Sequence, residues 1–123
     1  MTQTTFLLLI SGVLLNATAQ LALKATTRVT GPVTFQVDTL GSTVQALAAQ
    51  PVLWVGLTCY GASILVWIAA LSRVDVSVAY PMLSLGYVVT AIAAWWLFGE
   101  PLGPQRLLAI AIIIAGVYLL VHT

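Results

Sequence analysis

Charge is what this sequence has least of. Of 123 residues, four are Lys or Arg and three are Asp or Glu, 6% in all, against about 25% in a typical soluble domain. So few charges cannot clothe a water-facing surface, and the length leaves no room for a large catalytic domain. Cysteine occurs once, at Cys59, which excludes an intrachain disulfide and reads as a small packing residue inside an apolar stretch. Histidine also occurs once, at His122 beside the C-terminus. One His and one Cys so placed assemble neither a metal-ligand cluster nor a nucleophile–base pair. No glycine loop of the phosphate-cradling kind is present. The chain is therefore expected to be no enzyme and to carry no cofactor. A net charge of +1 leaves no basic surface for nucleic acid.

What fills the chain instead is apolar: 61% of it is hydrophobic. Uncharged runs cover Phe6–Leu23, Val52–Leu71, Val76–Phe98 and Leu107–Val121. A hydrocarbon core about 30 Å thick takes roughly 20 helical residues to cross. The reading is an all-α membrane protein, a single domain over 1–123 with four transmembrane helices at about 5–25, 51–71, 76–98 and 105–122. The N-terminal run lacks a basic flank and leads into further spans, so it reads as a first helix rather than a signal peptide. Residues 26–50 form a connector in which Leu40, Val44 and Leu47 recur at helical spacing. That pattern suits a short interfacial helix, against which Gly41 argues. Pro51 suits a first helical turn, and Ser72–Asp75 and Gly99–Pro104 read as tight turns. Lys24, Arg28 and Arg106 fall on one side of the membrane and Arg73 on the other. The positive-inside rule favours the cytoplasm for the first three; a bias of three to one leaves the opposite orientation open.

The few polar residues within the spans carry the functional signal. Gly12, Asn16, Gln20 and Lys24 are spaced by four and share one face of the first helix. Lipid offers an amide no partner. Asn16 and Gln20 either bind helices together or line a polar path, and both readings stand. Gly56, Tyr60, Ser63 and Trp67 stack along the second span, and Tyr80, Ser84 and Tyr87 along the third. Hydroxyl-bearing aromatics suit a cavity for an amphipathic ligand. Trp54, Trp95 and Trp96 near span ends read as interfacial anchors. Pro81 falls inside the third span and is expected to kink it. Glu100, at the membrane edge, is expected either to pair with Lys24, Arg28 or Arg106 or to serve the substrate. No span holds a mid-membrane acid or base, the group on which proton-coupled transporters usually depend. The fourth span has little polarity; Ala111, Ala115 and Gly116 form a small-residue stripe suited to close helix association.

The run Ala79-Tyr80-Pro81-Met82-Leu83-Ser84-Leu85 with the later Gly99-Glu100-Pro101 resembles the third span and following turn of the small subunits of the aminoarabinose-phosphoundecaprenol flippase. Ala19-Gln20-Leu21-Ala22-Leu23-Lys24 is similar to their first span. The Gly-Glu-Pro turn is shared with the wider drug/metabolite transporter superfamily of EamA-like proteins. The resemblance covers the first, third and fourth spans well and the second loosely. It implies a multi-pass protein of the bacterial inner membrane that flips a polyprenyl-phosphate-linked sugar. It also implies work as a dimer, with a second copy or a similar small subunit.

The same superfamily contains the small multidrug resistance exporters, which share the four-helix bundle. Their hallmark is a mid-membrane glutamate in the first helix; the matching position here is Asn16, which cannot titrate. Tyr80 matches their binding tyrosine, but Leu83 stands where they carry a tryptophan.

On the flippase reading, Lys24, Arg28 and Arg106 would capture the phosphate at one mouth. Asn16, Gln20, Tyr60, Ser63, Tyr80, Ser84 and Tyr87 would replace water around the sugar. Ala111, Ala115 and Gly116 would join protomers that rock around a shared cavity. Two other readings stay open: a proton-coupled small-molecule exporter working through Glu100, and a non-transporting subunit that stabilises a partner.

Overall fold

A computed structural model describes residues 2–33 and 36–122 of the chain. Residues 34 and 35 of the expected connector, and the two terminal residues of the expected domain, lie outside the described part. The described residues are helical without strands. In chain order they form α1 (Gln3–Thr30), α2 (Val37–Ala48), α3 (Pro51–Leu71), α4 (Val76–Met82), α5 (Ser84–Phe98) and α6 (Pro104–Val121). Four stretches are long and apolar enough to cross a membrane: α1, α3, α4 with α5, and α6.

Each helix begins and ends for a local reason. The Thr2 hydroxyl accepts the Thr5 N–H at the start of α1, and Pro51 and Pro104 sit in the first turns of α3 and α6, where a missing N–H costs nothing. The first helix runs on past the expected end near residue 25, to Thr30. The extra turn is threonine-rich. Thr26 and Thr30 return their hydroxyls to the carbonyls of Ala22 and Thr26, and Thr27 to that of Lys24, so this segment meets its own polar needs at the membrane edge. At about 1.5 Å per residue, α1 outreaches the hydrocarbon core. The connector does contain a helix, α2, whose Leu40, Val44 and Leu47 fall at the expected spacing. Trp54 Nε1 donates to the Ala48 carbonyl at 2.9 Å and ties the end of α2 to α3.

The third span departs from the expectation of one kinked helix. It is broken at Leu83 into α4 and α5. Pro81 supplies no N–H and its ring crowds the preceding turn. Around it the backbone tightens, Leu83 N–H reaching the Tyr80 carbonyl and Gly86 N–H the Leu83 carbonyl. At the far end of α5, Gly99 takes φ +68°, a left-handed conformation that L side chains resist. The chain turns back there, and Glu100 N–H bonds the Ala94 carbonyl.

The bundle is organised around α1, which packs along both α3 and α5. It runs antiparallel to α3: Gly56 lies against Ala19 and Ala22, and Gly12 against Ser63 and Trp67. It runs parallel to α5, with Val13 against Gly86 and Arg28 beside Phe98. Among the described residues the backbones of α3 and α5 do not approach each other, and the backbone of α6 approaches only those of α4 and α5. The core lies at the Arg73 end, where Leu9, Ala70, Ala79, Met82 and Val117 cluster under Trp67, Leu71 and Ile113.

Candidate functional site

Because α3 and α5 stand apart, a cleft opens between α3 and the α4–α5 break, floored by α1. Its volume is about 170 Å³, and it is lined by Gly12 and Asn16 from α1, Tyr60, Ser63, Ile64, Trp67 and Ile68 from α3, and Leu83. Asn16 is half-buried there, and its amide makes no hydrogen bond to any described residue. Ser63 is buried at 5% exposure. Its hydroxyl donates to the Tyr60 carbonyl at 2.6 Å, so toward the cleft it can only accept. Gly12 lies on the floor, where a Cβ would make only an ordinary contact, 3.5 Å from Trp67 Cε3. The site is thus mostly apolar, with one amide, a tyrosine and a serine oxygen inside and no charge.

A second crevice of about 300 Å³ lies toward the other end of α1. Gln20, Leu21 and Lys24 face Tyr87, Thr90, Ala91, Ala94 and Phe98 of α5 across it, and Glu100 and Arg106 stand at its mouth. Here charges gather without pairing. Among the described residues Glu100 closes no ion pair with Lys24, Arg28 or Arg106, contrary to the pairing that the sequence suggests. The arginines are turned elsewhere. Arg28 Nη1 donates to the Phe98 carbonyl at 3.1 Å, with its guanidinium 5.3 Å from the centre of the Phe98 ring. Arg106 Nη1 donates to the Pro101 carbonyl at 2.7 Å. Both hold the turn that ends α5, whose last carbonyls lack helical partners.

The sequence-derived candidates therefore fall into three groups. Asn16, Tyr60 and Ser63 meet in the first cleft, and Gln20, Lys24, Tyr87, Glu100 and Arg106 in the second crevice. Tyr80 and Ser84 line neither; Tyr80 is 66% exposed on the outside of α4. The break at Leu83 is the reason, since it ends the single helical face on which Tyr80, Ser84 and Tyr87 would align. Arg28 clamps the turn from outside the crevice. Ala111, Ala115 and Gly116 are exposed on α6, with open space where a Gly116 Cβ would point. Lining residues that the sequence did not single out are Ile64 and Ile68 in the first cleft and Leu21, Thr90, Ala91, Ala94 and Phe98 in the second; Leu83, which also lines the first, was noted only as a departure from the exporters' tryptophan. Thr90, three residues after Tyr87 on the same helical face, carried a readable signal; the apolar ones did not.

The sequence matches known transport proteins. The model of the EamA-like transporter family covers residues 2–122. The chain is 37% identical over 114 residues to the probable 4-amino-4-deoxy-L-arabinose-phosphoundecaprenol flippase subunit ArnE of Pseudomonas savastanoi pv. phaseolicola, a match over 93% of this chain and 94% of that protein. It is 44% identical over 71 residues to the probable ArnE of Pseudomonas fluorescens, covering 58% of this chain and 62% of that one. With the probable ArnE of Salmonella paratyphi B it shares 41% identity over 70 residues, 55% of this chain and 63% of the other. No solved structure matches. With four helices able to cross a bilayer and a family match along nearly its whole length, the chain is a multi-pass protein of the bacterial inner membrane and belongs to the EamA-like transporter family.

Proposed function

We propose that the protein is a flippase subunit that moves a polyprenyl-phosphate-linked sugar across the inner membrane, by transport and not by catalysis. The observation that carries this reading is the mid-span cleft that Asn16 lines with Tyr60 and Ser63, its amide without a hydrogen-bond partner among the described residues. Moving such a lipid means passing a hydrophilic, anionic head through hydrocarbon while the prenyl tail stays in lipid. An unpaired amide and a hydroxyl oxygen can take the place of water around the sugar. Lys24 and Arg106, at the mouth of the second crevice, supply cations for the phosphate. Asn16 and Gln20, one turn apart on α1, would pass the head from the charged crevice to the uncharged cleft.

The cleft is lined by α1, α3 and Leu83, and α6 adds nothing to it, so a second chain would complete its wall and the working unit is an assembly of at least two chains. The exposed α6 stripe of Ala111, Ala115 and Gly116 is the face assigned to that contact. The second chain would be another copy or a similar small subunit. A proton-coupled exporter is less well supported, because no Asp, Glu, Lys, Arg or His lines the mid-span cleft.

The test is mass spectrometry of lipids retained after gentle extraction. A prenyl-phosphate species on the wild-type protein, weakened by Lys24→Ala, is the expected result. Retention of bulk phospholipid alone would overturn the proposal.

A further inference from the structure

The second crevice brings a carboxylate and two cations together and leaves the carboxylate uncancelled. Glu100 is half-buried, and its side chain makes no ion pair or hydrogen bond among the described residues. The turn does not need it. Gly99 supplies the left-handed step, and the contact closing the turn onto the Ala94 carbonyl comes from the Glu100 backbone N–H, which almost any residue provides. Of the neighbouring cations, Arg28 and Arg106 are drawn to backbone carbonyls, and Lys24 is exposed, its ammonium without a partner among the described residues. A carboxylate left without a protein partner in a crevice has its acceptor oxygens open to a ligand, and the chemistry that matches them is a cation.

We propose that Glu100 is a specificity-determining residue: it takes an ammonium group on the sugar while Lys24 and the free arm of Arg106 take the phosphate. The crevice would therefore read a zwitterionic head group, with Gln20, Tyr87 and Thr90 available to the sugar hydroxyls. A crevice bearing cations alone would accept any prenyl phosphate; the carboxylate adds discrimination, because a neutral group in the ammonium's place leaves the charge unanswered.

This inference rests on the lipid-flipping reading, and the experiment separates the two. The full-length protein is purified into nanodiscs and offered three probes. These are undecaprenyl phosphate carrying 4-amino-4-deoxy-L-arabinose, the same lipid with its amine acetylated, and undecaprenyl phosphate alone. Wild type is expected to prefer the amine to its acetylated form about tenfold, the ratio that one modest charge-assisted contact supplies. Glu100→Gln is expected to bring that ratio close to one, and Glu100→Asp, which keeps the charge, to restore part of it. A tenfold preference that survives in Glu100→Gln would overturn the assignment. So would a wild type that binds all three probes without discrimination, a result that needs no variant to fold and leaves the lipid reading intact. Failure to retain any of the three overturns both.

Discussion

Replacing Asn16 by leucine separates the two roles open to an amide inside a membrane helix. If Asn16 held helices together, its loss would remove an interhelical hydrogen bond, worth on average about 0.6 and at most about 1.7 kcal/mol. Among the described residues the amide makes no such bond. It stands half-buried among Tyr60, Ile64, Trp67 and Leu83. Burying an unpaired amide costs about 1–3 kcal/mol by protein mutational measures, and partial burial brings that to about 1 kcal/mol here. Asn16→Leu should therefore leave stability unchanged or raise it by up to about 1 kcal/mol. Function should move the other way. An amide that makes two hydrogen bonds to a sugar, each worth about 0.5–1.5 kcal/mol, weakens lipid retention by roughly 5- to 150-fold when removed. Stability is read from helicity during detergent-driven unfolding in bicelles, and retention from mass spectrometry on the same preparations. A loss of about 1 kcal/mol or more with lipid retention intact would refute the reasoning and make Asn16 a structural tie.

Other substitutions probe the scaffold that shapes the site. A Cβ at Gly56 would lie 3.1 Å from the Ala22 Cβ and 3.3 Å from the Ala19 carbonyl oxygen, whereas one at Gly61 meets nothing within 4 Å. Gly56→Ala should therefore destabilise by about 1 kcal/mol through overpacking of the α1–α3 seam, and Gly61→Ala should be neutral or stabilising by up to about 1 kcal/mol; the same unfolding assay checks their order. Pro81→Ala should let α4 and α5 merge into one helix, visible as amide protection across Met82–Leu85 in hydrogen exchange, with slower lipid translocation in vesicles. Ala115→Cys in a Cys59→Ser background should crosslink between protomers under mild oxidation, and cysteine placed on α3 at Leu65, which is 72% exposed, should crosslink far less.

Membrane residence, helical class and the number of spans were legible in the sequence by itself, because they depend on sums over many residues. A window with almost no charge partitions into lipid whatever its neighbours do, and Pro51, Gly99 and Pro104 mark boundaries through their own backbone chemistry. The amide-bearing face of α1 was readable too, since one helical period sets it. Which groups meet across helices was decided only by tertiary structure. Tyr60 joins Asn16 because α3 runs antiparallel along α1. Tyr80 faces outward because the break at Leu83 ends the shared face. Arg28 clamps the Phe98 carbonyl, 70 residues away, and leaves Glu100 unpaired. Such contacts turn on the rotation and offset of one helix against another, set by side-chain packing between segments far apart in the chain, and local spacing carries no record of them.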